Sequence, residues 1–103
     1  MTAISFTFCI DADHPALPGH FPGRPVVPGV LLLDEVLSGL SAIGVEVTRI
    51  ARVKFLAVLL PGDPARVKGE ATGGEVTFSV TTRRGGQEVC VAQGAGRLAA
   101  GSP

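Results

Sequence analysis

Between Asp11 and Pro28 the chain carries Pro15, Pro18, Pro22, Pro25 and Pro28 together with Gly19 and Gly23. Each proline fixes its own φ, restricts the residue before it and lacks an N–H, so this density excludes both a helix and the interior of a paired strand. The expectation is a long, stiff loop that follows one path. Loops of that length are uncommon in compact domains unless they serve a function, so a site is to be sought there.

The regular structure must then be built from what lies on either side. Upstream, Ile4, Phe6, Phe8 and Ile10 alternate with Ser5, Thr7 and Cys9, the period of a strand with one buried face, over residues 3–10. Downstream, Pro28 suits the first turn of a helix, and Gly29 to Ile43 reads as helix closed by Gly44. Its Val30, Leu31, Leu32, Leu33, Val36, Leu37, Leu40 and Ile43 are too many for one face, which predicts a central helix wrapped by other elements. The remainder reads as strands: 45–50, running on into 52–60, then 65–71, 75–82 and 88–99, with Gly73-Gly74 and Gly85-Gly86 as hairpin turns. Across 52–60 both parities are apolar, which predicts cover on both faces, one by the helix and one by a partner subunit. The order implies an α+β fold, one antiparallel sheet curled around one central helix.

Composition sets the outer bounds. A chain of 103 residues, 46% apolar and 17% charged, suits a single folded domain over 1–103, and its apolar surplus points to a homo-oligomer, a dimer or larger. Nine basic and nine acidic residues cancel and are scattered along the chain, so no broad phosphate-binding surface and no nucleic-acid partner is expected. The apolar runs Val30 to Leu33 and Phe55 to Leu60 are too short to cross a bilayer, and the N-terminus lacks the layout of a signal peptide; the expectation is a cytoplasmic protein with no membrane partner. Cys9 and Cys90 fall in apolar-alternating segments and read as buried reduced thiols, a disulfide or metal pair being the lesser alternative.

Two ionisable residues stand out by context. His20 follows Gly19 in the proline-rich loop, and histidine is the side chain best poised to exchange a proton near neutral pH; the competing reading is a hydrogen-bonded structural histidine. Asp34 has Val30, Leu31, Leu37 and Ser38 three and four positions away on the helix, a mostly apolar face. Burial there would disfavour the charged carboxylate and leave an acid able to donate a proton; the alternative is that Asp34 and Glu35 form the helix's solvated edge. The helix start at Pro28-Gly29-Val30 offers unpaired backbone N–H groups that favour negative charge on a carbonyl oxygen. His14, between Asp13 and Pro15, reads as closing a local turn, and two histidines without ligand-like spacing do not predict a zinc site.

The segment Gly19-His20-Phe21-Pro22-Gly23-Arg24-Pro25-Val26-Val27-Pro28-Gly29-Val30-Leu31-Leu32-Leu33-Asp34 resembles the signature of bacterial 3-hydroxyacyl-[acyl-carrier-protein] dehydratases, which have the hot-dog fold. Lys54-Phe55 followed by Pro61-Gly62-Asp63 is similar to the strand and turn after the central helix in that family. The resemblance implies a hydro-lyase that converts a 3-hydroxyacyl thioester, on acyl carrier protein or coenzyme A, to the trans-2-enoyl thioester. It places His20 and Asp34 on the catalytic pair, drawn from different subunits of a dimer, and Gly29 on the N–H that holds the thioester carbonyl. Phe21, Pro28, Val30 and Ser38 then line the acyl-binding site, and no metal or redox cofactor is implied. Among Arg24, Arg49, Arg52 and Lys54, usually solvated charges, Arg24 is the candidate contact for an acidic carrier protein.

The chain departs from the family pattern in three places. Members that only dehydrate usually have Glu where this chain has Asp34, whereas those that also isomerise the double bond have Asp. Ser38 stands where the family commonly has a glutamine that orients the carboxylate. Most of the N-terminal extension of longer members is missing, which suggests a short variant in a specialised lipid or polyene pathway. Two alternatives stay open: a hot-dog acyl thioesterase, and a non-catalytic acyl-binding or dimerisation partner, the latter supported only by Ser38.

Overall fold

The computed structural model describes residues 1–15, 17 and 26–102. Its elements follow in the order β1 (Thr2–Phe8), α1 (Gly29–Ala42), β2 (Val47–Phe55), β3 (Ala65–Thr72), β4 (Glu75–Arg84) and β5 (Gln87–Leu98). The strands form one antiparallel sheet in the order β1-β3-β4-β5-β2. The strands that precede and follow the helix therefore lie at opposite edges, and the chain crosses the whole width of the sheet between them. That crossing lays α1 on the sheet's inner face, where Leu32, Val36 and Leu40 meet Ile4, Val67, Val76, Val80 and Val91 in one buried cluster.

Turn chemistry sets the register of β3 with β4, and of β4 with β5 as far as the extra residue Val91, which faces the step between Val80 and Thr81. Gly73 (φ 59°) and Gly74 (φ 79°) join Thr72 to its partner Glu75, and Gly85 (φ 61°) and Gly86 (φ 79°) join Arg84 to Gln87. Two successive positive φ values give the mirror-image turn whose twist matches the strands, and glycine adopts them without a Cβ penalty. The helix stops one residue before the expected Ile43. Gly44, at φ 86°, donates to Ser41 O at 3.0 Å, and Val45 N–H donates to Leu40 O at 2.9 Å, the paired bonds of a Schellman motif. Leu40 and Val45, the two apolar residues that such a motif brings together, are both fully buried.

Three expectations change here. Among the described residues the helix is covered on one side only: besides its three buried residues, Leu31, Leu33 and Leu37 are half-buried, and Val30 and Ile43 are exposed. The apolar surplus that suggested wrapping thus lies partly on the surface of the single chain. The strand expected over 52–60 ends at Phe55, and Leu56, Val58 and Leu60 are exposed while Leu59 is buried. Neither Cys9, exposed, nor Cys90, half-buried, is a core thiol, and both are free.

The strand β2 also breaks the simple alternation. Its partners on β5 skip at Val47/Arg49 and Ile50/Arg52, so Thr48 and Ala51 are extra residues, each opposite no partner. Each bulge moves the next apolar residue by one position. Val47, Ile50 and Val53 therefore share the inner face at a spacing of three, and the outer face receives Arg49, Arg52 and Lys54. Small residues across the sheet make room: a Cβ on Gly96 would meet Arg49 O, and one on Gly94 would meet Arg52 O and the Phe78 ring.

The charges that looked scattered in sequence are sorted by the pleat. On the outward face β2 presents three bases, β3 adds Arg66 and Lys68, β4 adds Arg83 and β5 adds Arg97, all exposed, so seven of the nine basic residues share one surface. Only Glu70, Glu75 and Glu88 accompany them. Among the described residues, no helix is long and apolar enough to cross a membrane.

Candidate functional site

Helix α1 presents two stripes of opposite character. Leu32, Val36 and Leu40, spaced by four, face the core; Val30, Asp34 and Ser38, with the same spacing two residues earlier, face away from it. Of the residues singled out in the sequence, three thus lie together on one open surface, with Gly29 and Pro28 at its N-terminal end. His20 and Phe21, and Arg24 as a carrier contact, lie outside the described residues.

Asp34 is exposed, so the single chain does not supply the desolvation expected from its neighbours. The physical reason is local: Val30, the apolar residue one turn before it, is itself 84% exposed, and Ser38, one turn after, is exposed and polar. Among the described residues the Asp34 carboxylate has no hydrogen-bond or ion-pair partner.

The helix start has the features of a site for developing negative charge. Pro28 is extended (φ −60°, ψ 143°), no side chain caps the helix and its first turn holds no acidic residue, so the positive end of the helix dipole is left uncompensated by this chain's described side chains. A Cβ on Gly29 would lie 3.0 Å from the Phe55 ring, which packs flat against the helix start because glycine leaves it room. Phe55 is half exposed there, and with Val30, Leu56 and Val58 it makes an apolar rim around the helix N-terminus. An open apolar surface of this kind on a small domain marks a surface that something else covers.

One loop, residues 56–64, holds the approach to this end of the helix. Val27 N–H donates to Leu59 O at 2.8 Å and Gly62 N–H donates to Ile10 O at 2.8 Å. The two ends of the proline-rich segment are thereby tied to a single loop. The loop is in turn fastened by Arg84, whose Nη2 donates to Val58 O at 2.9 Å and to Asp63 Oδ2 at 2.8 Å. Asp63 Oδ2 also accepts the Leu60 N–H at 3.1 Å, closing the turn. Asp63 is legible in the sequence as a turn residue, whereas the only mark of Arg84 is its position just before Gly85-Gly86. His14 stands in a turn as expected, its N–H donating to Asp11 O and its carbonyl accepting from Leu17, both at 3.0 Å. Among the described residues no group of three or more His, Cys, Asp and Glu side chains is placed to hold a metal ion.

Comparison with known proteins agrees with this architecture. The chain matches the ApeI-like family, described as ApeI dehydratase, over residues 1–95. It is 33% identical over 87 residues to the 3-hydroxyacyl-[acyl-carrier-protein] dehydratase FabZ of Cereibacter sphaeroides, covering 79% of this chain and 53% of that protein. The chain spans about half the length of the curated relatives it matches. Among solved structures, an uncharacterised protein from Erwinia carotovora superimposes with a TM-score of 0.78 at 29% identity, over 94% of this chain and 82% of that one. The dehydratase heterocomplex ApeI:P from Xenorhabdus doucetiae gives a TM-score of 0.75 at 26% identity, over 93% and 86%. Acyl-CoA thioesterases and hydrolases at 16% and 14% identity share the hot-dog fold alone.

Proposed function

Because the chain belongs to the ApeI-like dehydratase family, we propose that it removes water from 3-hydroxyacyl thioesters borne by acyl carrier protein, as a homodimer in which His20 of one chain faces Asp34 of the other. The observation that carries this reading is the open stripe on α1, where a carboxylate without a partner among the described residues lies a turn from an uncapped helix start rimmed by apolar side chains. A second chain seated on that surface would supply the desolvation that one chain lacks and would cover Val30 and Phe55. The relative found in a dehydratase heterocomplex supports a site completed by a second chain.

In the proposed reaction His20 takes the proton from the carbon next to the thioester carbonyl. The Gly29 N–H, at the positive end of α1, steadies the negative charge that builds on the carbonyl oxygen. Asp34 in its protonated form gives its proton to the departing hydroxyl, which leaves as water, and the electron pair of the broken C–H bond becomes the new C–C double bond. The His20 proton then returns to Asp34 to reset the pair. These steps move protons only and call for no metal or redox group.

The test is a coupled assay of 3-hydroxyacyl thioester loss and enoyl thioester formation with wild type and His20→Ala. A loss of about two to four orders of magnitude in His20→Ala is expected for a removed general base. Release of free thiol in place of enoyl product would make the chain a thioesterase. An inert chain that gains activity only when mixed with a second dehydratase chain would replace the homodimer by a heteromer.

A further inference from the structure

The mechanism above leaves unused the most one-sided charge distribution of the described chain, the outward face of the sheet. We infer that this face docks the acidic carrier protein that delivers the thioester, an inference that rests on the carrier-borne substrate proposed above. Its seven bases against three acids give it a positive field, while the other six acidic residues lie off this face, where Arg84 is the one described base. The chain is neutral overall, yet an acidic partner is drawn to one side and repelled from the rest.

The centre of the face is a cross-strand row, Lys68 on β3, Ser79 on β4, Gln93 on β5 and Lys54 on β2. With Arg52, Thr77 and the carboxylate Glu70 it lines a shallow depression of about 390 Å³. Two ammonium groups and a guanidinium outweigh the single carboxylate, Glu70, and with the neutral donors suit carboxylates of a partner's acidic surface. The same row meets the candidate site at β2, since Lys54 is followed by Phe55, whose ring rests on Gly29. The β2 end of the row therefore borders the strand edge that carries Phe55 to the helix start, and a carrier seated on the face would deliver its thioester arm around that edge.

Nucleic acid fits this face poorly. Glu70, Glu75 and Glu88 interrupt the bases and would oppose a run of phosphates, and Glu75 already engages Arg97 at 3.8 Å. The aromatic residues of the strands, Phe6, Phe8, Phe55 and Phe78, all sit on the inward parity, so among the described residues the outward face presents no aromatic side chain on which bases could stack. A protein whose surface mixes both signs with acids in excess meets neither obstacle.

The experiment compares wild type, the double variant Arg66→Glu/Lys68→Glu and Glu70→Lys on two substrates of equal acyl chain, one carried by a purified acidic acyl carrier protein and one on a small pantetheine analogue. All three changes lie on β3, away from the helix and from the β2 edge. The expected result is a KM for the carrier substrate raised about tenfold in the double variant and lowered in Glu70→Lys, both effects shrinking at high salt, with the small substrate unchanged. Equal KM for the carrier substrate in all three proteins overturns the inference, as does a parallel change on the small substrate. Titration of labelled, unacylated carrier protein repeats the comparison without turnover, so an inert enzyme defeats the proposed reaction and leaves the docking surface to its own measurement. Salt-dependent binding that is absent for the carrier and present for duplex RNA or DNA would also overturn it.

Discussion

The two stripes of α1 differ by a rotation of two residues and by almost everything else. Leu32, Val36 and Leu40 are buried against the sheet, whereas Val30, Asp34 and Ser38 face outward with the same spacing. The inner stripe is uniform, and its chemistry requires only shape and apolarity. The outer stripe sets a carboxylate and a hydroxyl, which water satisfies, beside a valine that gains nothing from water. The difference teaches where to look for function: a surface that breaks the economy of the fold without a structural reason is kept for another.

The comparison can be broken by changing one stripe and reading the effect expected of the other. The largest effect is expected from Asp34→Asn, a drop in turnover of about two to four orders of magnitude, with the thermal midpoint within a degree or two of wild type. A large loss of midpoint with activity intact would reverse the roles of the stripes. Next comes Leu40→Ala, which removes a fully buried side chain and the apolar half of the Schellman contact; chemical denaturation is expected to give a loss of about 2–5 kcal/mol. Gly39→Ala sharpens the boundary between the stripes. Alanine favours helix by about 1 kcal/mol over glycine, but its Cβ would strike the Phe6 ring, so a net loss of about 1–2 kcal/mol is expected. A gain in stability there would show that Phe6 can move aside. Asp63→Asn weakens the Arg84 clamp on loop 56–64, and for a partly exposed pair the expected cost is about 1 kcal/mol, seen as faster amide exchange at Leu60 and Val27 before any global unfolding. The smallest effect belongs to Ser38→Gln, with stability changed by less than about 0.5 kcal/mol and turnover altered by a few-fold at most.

How far the sequence led can be judged from particular elements. Strand β1 was legible from its alternation and the β3-β4-β5 meander from its paired glycines, which state the turn type directly, although the extra residue Val91 in β5 carries no such mark. The helix was legible in extent but not in its cover, because a count of apolar residues does not say which of them a single chain leaves exposed. Asp34 shows the limit most clearly. Its position beside Val30 and Ser38 on the helix surface followed from spacing, yet burial did not, since an apolar neighbour desolvates a carboxylate only if that neighbour is itself buried. The end of β2 at Phe55 was missed because Leu56, Val58 and Leu60 supply a second apolar parity that in the single chain faces solvent. The clustering of bases on one face was invisible because two bulges in β2 change which residues share a side.

Those bulges have a consequence for how the molecule keeps to itself. With Thr48 and Ala51 set aside, the strand reads Val47, Arg49, Ile50, Arg52, Val53, Lys54, Phe55, a strict alternation of apolar and basic residues. Such a strand at the rim of a sheet would offer a straight row of free N–H and carbonyl groups to any extended chain that met it. Each extra residue throws that row out of step and adds local twist, so an unfolded or misdirected strand cannot zip along it. A variant lacking both residues should keep every side chain on its present face and still be the more prone to form fibres.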